Sequence, residues 1–199
     1  MAVEHIQREE LPKISQKSKP LAEHQLVYGK PPSELIWFRA TKVTYKPEVK
    51  RVGKSALGIY FSLSKEVAKS YGKNVKAFKL DVKNPFNIWS TPEDYLKVAK
   101  ALGDEKYINK YNRIVKSGST PMLTVYDGTN TINPYDVLNR WIDEYGADKI
   151  RDAMIRAGYD AILNMEGESA SGFWGPTAPE LAVFDPALIK PLEEEHIEA

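Results

Sequence analysis

Residues 57–72 read LGIYFSLSKEVAKSYG, and the fold turns on how this stretch divides. GIYFSL, residues 58–63, is an apolar, aromatic run of strand length. Ser64 is suited to cap a helix over KEVAKSY, and Gly72 stands where that helix stops. The reading is a strand running straight into a short helix, with Tyr60 on the first and Tyr71 at the end of the second, eleven positions on. A tight connection and two helical turns can bring the second ring back beside the first, making a slot for a planar ring. On these residues alone, two core tyrosines with bonded hydroxyls are the more economical reading.

The flanks set the fold class. Upstream, ELIWFRATKV (residues 34–43) reads as a strand, succeeded by a basic loop, YKPEVKRVGK, at residues 45–54. Downstream, NVKAFKLDV is a third strand, which Pro85 breaks within KNPFNIWS. Four helical segments lie between residues 91 and 157, each opened by a capping residue or closed by glycine, with Pro92 and Pro134 in first turns. YDAILNM and ELAVFD are further strands, and the long Gly/Ser/Pro loop EGESASGFWGPTAP lies between them. Strands, then a helical block, then strands predict an α+β domain with a mainly antiparallel core, not a doubly wound sheet. The domain spans residues 34–190, and its mainly helical insert, 91–157, is expected to cap the strands. Residues 1–33 read as a loosely attached arm and residues 191–199 as an acidic tail.

Composition excludes several chemistries. The chain has 199 residues and a net charge of +1, so no overall field favours nucleic acid or a membrane surface. It contains no cysteine, which removes disulfides, thiolate catalysis and Cys-based zinc. His5, His24 and His196 all lie in the flanking arms, away from metal-ligand spacings or a Ser-His-Asp arrangement in the core. No phosphate-loop or dinucleotide fingerprint is present, and YDGTNTIN reads as a turn. No apolar run is long enough to span a bilayer, and MAVEHIQREELPK lacks a signal-peptide apolar core. A soluble, cytoplasmic protein is the expectation.

Four features carry the functional reading. Arg39 sits inside the apolar run IWFRAT, where a charge is costly unless it faces solvent, is paired, or holds an anion. Tyr60 and Tyr71 form the second feature. Glu180 begins an otherwise apolar strand, at a sheet end or the rim of a cleft. The loop before it carries Phe173 and Trp174, and loops of such length are commonly functional.

WFRAT, GIYFSLSKEVAKSY, VKAFKLDVKNPF, AGYDAI and PELAVFDPALIK, in this order, resemble the ADP-ribosyltransferase fold over roughly residues 34–190. The likeness is closest to small domains of phage head-associated and polyvalent proteins, with the tyrosine spacing of the diphtheria-toxin-like branch. It implies a split antiparallel β core with a helical insert. It also implies that Tyr60 and Tyr71 sandwich nicotinamide, that Arg39, Thr41 and Ser62 complete the NAD-binding set, and that Glu180 is the catalytic glutamate. Phe173 and Trp174 would meet the acceptor. Arg39 stands where this branch usually has histidine. Ala178 stands where arginine-modifying relatives carry Glu or Gln, which argues against arginine as acceptor.

The activity implied is cleavage of NAD at the nicotinamide–ribose bond and transfer of ADP-ribose to a protein, a nucleic acid or a small molecule. NAD is the substrate, and neither a metal nor a membrane takes part. Such an enzyme fits a phage effector acting on host targets, carried with the virion or made in the cell. The alternatives are a transferase fold without chemistry, serving as a binding or virion-associated module, and an NAD glycohydrolase.

Overall fold

The computed structural model describes residues 20–41, 57–166 and 177–193. Strand β1 (Trp37–Ala40) occupies the centre of the predicted first strand. Residues 57–72 divide as their chemistry suggests, into β2 (Ile59–Ser62) and α1 (Lys65–Ser70). The Ser64 side chain accepts the Val67 N–H, which satisfies an otherwise orphaned first-turn donor. Next come strands β3 (Val75–Leu80) and β4 (Pro85–Asn87), and Pro85 sits at the first position of its strand, the place where a missing N–H is tolerated.

The helical block comprises α2 (Pro92–Leu102), α3 (Glu105–Lys116), α4 (Pro134–Tyr145) and α5 (Ala147–Arg156). Thr91, Asp104 and Asn133 cap the first three through side-chain oxygens. Between α3 and α4 the chain forms a small parallel pair, β5 (Met122–Leu123) with β6 (Thr131–Ile132), where a turn alone is predicted. Strands β7 (Ala161–Asn164), β8 (Glu180–Val183) and β9 (Ile189–Pro191) complete the chain. Strand β9 lies partly in the stretch read as a tail; it pairs with β3, and the Leu192 N–H extends the contact to the Ala77 carbonyl.

Seven strands make one sheet in the order β4-β7-β8-β2-β1-β3-β9. The α+β class is as expected, and every neighbouring pair is antiparallel except β4 with β7. A parallel pair needs a long crossover, and the helical block is that crossover. The sheet is narrowest at one place. β1 and β3 share four register pairs, as do β2 and β8, but β1 and β2 share only Phe38↔Ser62.

Each face of the sheet has its own core, as strand alternation requires. On one face Ile59 and Phe61 of β2 join Leu181 and Val183 of β8, with Trp37 and Phe78. On the other, Ala182 and Ile162 meet the helices through Tyr95, Tyr107, Trp141 and Met154. The described part of the N-terminal segment is docked, contrary to the expectation of a loose arm. Gln25 is buried and its amide bonds Asn84 and the Pro85 carbonyl, Asn87 donates to the His24 carbonyl, and Val27 enters the first core. Its lysine- and proline-rich composition concealed these few contacts. No helix among the described residues is long and apolar enough to cross a membrane.

Candidate active site

Register decides which side chains share a surface. Ser62 lies opposite Glu180, and Glu180 lies opposite Asn164, so three polar residues form one row across β2, β8 and β7. The next row on the same face is Tyr60, Ala182 and Ile162. A cavity of about 760 Å³ opens over these rows, a volume typical of small-molecule sites. Ala68 and Tyr71, from α1 and its C-terminal cap, form one wall. Tyr135, Leu138, Asn139 and Ile142 of α4 form another, at the i, i+3, i+4 and i+7 spacing of one helical face.

Five of the residues singled out from the sequence line this cavity: Arg39, Tyr60, Ser62, Tyr71 and Glu180. Tyr60 is half-buried and packed against the helical core, whereas Tyr71 is 60% exposed at the rim. The exposure decides one question, because a ring so open to solvent is not a core tyrosine. Thr41 is not among the lining residues; its N–H donates to the Asn74 carbonyl at 2.7 Å. Phe173 and Trp174 lie outside the described residues.

Arg39 sits at the narrow junction of β1 and β2. Its Nη1 donates to the Tyr60 carbonyl at 2.7 Å, and its guanidinium carbon lies 5.8 Å from the centroid of the Phe61 ring. It therefore ties β1 to the backbone of β2 where the strand ladder has ended. The charge in an apolar strand thus has a local use that composition does not reveal.

Sequence reasoning missed the contributions of α4 and β7. Tyr135 packs edge-on against Trp89, with centroids 5.7 Å apart, and donates its hydroxyl to Glu166 at 2.6 Å. Burial and that carboxylate hold the Tyr135 hydroxyl above its ordinary range, so it remains a protonated donor at neutral pH. The helical period of α4 was visible, but the face that meets the cavity was not. Asn164 did carry a signal, as a polar residue ending an apolar strand in the same manner as Glu180 begins one.

Chemically, the cavity combines aromatic rings, a mostly apolar lining and, among its described lining residues, one carboxylate. No group of three or more His, Asp or Glu side chains among the described residues is arranged to hold a metal ion. The lining suits a planar, partly polar ligand with an apolar body.

The chain matches no family model and no curated protein sequence. A solved structure, described as the crystal structure of an anti-CRISPR protein, is similar to it at 11% identity and a TM-score of 0.41. That likeness covers 81% of this chain and 99% of the other, and at this TM-score it carries no argument about fold or function.

Proposed function

We propose that the protein is an ADP-ribosyltransferase that cleaves NAD between nicotinamide and ribose and passes ADP-ribose to an acceptor. The observation that carries this reading is the meeting of the Tyr60–Tyr71 pair with Glu180, distant from it in the chain, around one cavity of ligand size. The resemblance of the sequence to ADP-ribosyltransferases assigns these same residues to NAD.

The chemistry is set by the leaving group. Nicotinamide is already cationic in NAD, so the bond to the ribose C1′ breaks with its electron pair passing to the ring nitrogen, and no general acid is required. The sugar becomes oxocarbenium-like, as in glycoside cleavage. Glu180 bonds a ribose hydroxyl and places a negative charge near the growing cation, where the low dielectric of the cavity strengthens it. Tyr60 and Tyr71 hold the nicotinamide ring, fixing the geometry before the bond breaks. Arg39 supplies positive charge for the pyrophosphate. The acceptor attacks C1′ and loses its proton as the new bond forms.

Nicotinamide release from NAD tests the reading. Glu180→Gln keeps the shape and removes the charge, and should lower turnover by at least ~100-fold while NAD still binds. Full activity in this variant would overturn the mechanism. Mass spectrometry of a lysate treated with protein and NAD, against the Glu180→Gln control, then finds the acceptor. Arginine at position 39, where the branch of the fold that the sequence resembles usually has histidine, favours a second reading, a transferase fold that binds a nucleotide without chemistry. That reading predicts NAD binding by calorimetry with no nicotinamide released.

A further inference from the structure

We propose that Tyr135 and Glu166 form a relay that carries the acceptor's proton out of the cavity as the acceptor bonds to the ribose. The inference rests on the transferase reading and supplies a step that reading leaves open. Glu180 is assigned to the sugar cation, and the proton displaced from the acceptor still needs a base. Tyr135 lines the cavity from α4, and its hydroxyl donates to the Glu166 carboxylate at 2.6 Å. Glu166 lies outside the lining and is exposed, so the pair joins the cavity to solvent.

Both members of the pair are held in place. The Tyr135 ring packs edge-on against Trp89. The Glu166 N–H donates to the Asn164 Oδ1 at 3.2 Å, and Asn164 lies directly opposite Glu180 on the neighbouring strand. Two residues of chain span at most about 7 Å, and opposed strand residues lie about 5 Å apart. The Cα atom of Glu166 is thereby kept within about 12 Å of that of Glu180, which leaves room for the ribose and the attacking group between the two side chains.

The proton count closes without a further reagent. The acceptor gives an electron pair to C1′ as nicotinamide leaves with the pair of the broken bond, and the acceptor's proton becomes strongly acidic. That proton passes to the Tyr135 oxygen while the Tyr135 hydroxyl proton passes to the Glu166 Oε2. Tyr135 ends neutral, as it began, and Glu166 ends protonated until water takes the proton away. A hydroxyl can serve in this way because its oxygen still accepts while its hydrogen is donated. Burial and the neighbouring carboxylate keep the Tyr135 hydroxyl protonated at neutral pH, so it passes a proton on and is not a standing anion.

Competition between water and azide during NAD turnover tests the relay. Water must lose a proton when it attacks C1′, whereas azide has none to lose. Mass spectrometry gives the ratio of ADP-ribosyl azide to ADP-ribose. Tyr135→Phe keeps the ring against Trp89 and removes the hydroxyl. Glu166→Gln, at an exposed position, keeps an oxygen to accept the Tyr135 hydroxyl but cannot take its proton. Each variant should raise the azide-to-water ratio at least ~10-fold, since a positioned base contributes ~100-fold or more to such a transfer. A loss of packing alone would slow both products together and leave the ratio unmoved. An unchanged ratio in either variant, with nicotinamide still released, overturns the relay and leaves the transferase reading intact. If the unaltered protein releases no nicotinamide, the transferase reading fails and the relay falls with it.

Discussion

Tyr71 shows most directly how a single side chain separates two accounts of this protein. A core tyrosine exchanged for alanine costs several kcal/mol, because buried ring contacts are lost. Tyr71 is 60% exposed at the cavity rim, so Tyr71→Ala should change stability by no more than about 0.5 kcal/mol. The same variant should weaken NAD binding at least ~10-fold, as calorimetry would show, since one of the two rings assigned to nicotinamide is gone. A large loss of stability with unaltered NAD affinity is the outcome that would return Tyr71 to a structural role. Arg39 makes the complementary point. From sequence, its charge in an apolar strand was open to three explanations, and the contact with the Tyr60 carbonyl adds a bond that only the tertiary arrangement reveals.

At the level of elements, α4 forms a wall of the site, and its position depends on one buried acid. Asp104 is fully buried, caps α3, and accepts hydrogen bonds from Arg140 and from Trp141 Nε1, the latter at 2.6 Å. Burial pushes its carboxyl up, but the bonds from Arg140 and Trp141 outweigh this and leave it below its ordinary range. Asp104→Asn should cost roughly 2–3 kcal/mol, towards the lower end because Arg140 keeps Glu144 at 2.9 Å. Thermal unfolding would register this as a Tm lower by roughly 4–8 °C. An unshifted Tm would show that α4 is held by packing alone. The helices themselves were legible in the sequence, because their ends are written in residues with one strong preference, Ser64, Thr91, Asp104 and Asn133 at the starts. Strands β5, β6 and β9 were not, since elements of two or three residues are too short to show alternation. Glu180 and the two tyrosines could be picked out because each is polar or aromatic against its strand or helix pattern. Tyr135 and Asn139 are ordinary residues for a helix surface, and only the crossover that seats α4 over the sheet gives them a cavity to face.

For the whole molecule, acid sensitivity follows from carboxyls with displaced titration: among the described residues Asp94 and Asp104 of the helical layer are held below their ordinary range, while burial pushes Asp160 up. Asp94, like Asp104, is pushed up by burial but brought below its ordinary range, here by hydrogen bonds from Lys97, Tyr159 and Thr91. A carboxyl held lower in the folded chain than in the unfolded one stabilises the fold above the unfolded value, near pH 4. That contribution disappears as pH falls through the lowered folded values. Stability should therefore hold down to about pH 5 and decline below about pH 4, and Asp94→Asn with Asp104→Asn should flatten the decline. Urea unfolding between pH 7 and pH 2.5 checks this, and an equally steep fall in the double variant would place the acid sensitivity elsewhere.

The single register pair between β1 and β2 has a consequence for how the molecule can open. It divides the sheet into β4, β7, β8 and β2 on one side and β1, β3 and β9 on the other. Neither side is a continuous piece of chain. Successive strands pass from one side to the other four times, at β1 to β2, β2 to β3, β3 to β4 and β8 to β9. A cut at any one loop leaves both halves laced together by the remaining passages. The two sides cannot separate as a pair of independent lobes, and no continuous fragment of the chain carries one of them alone.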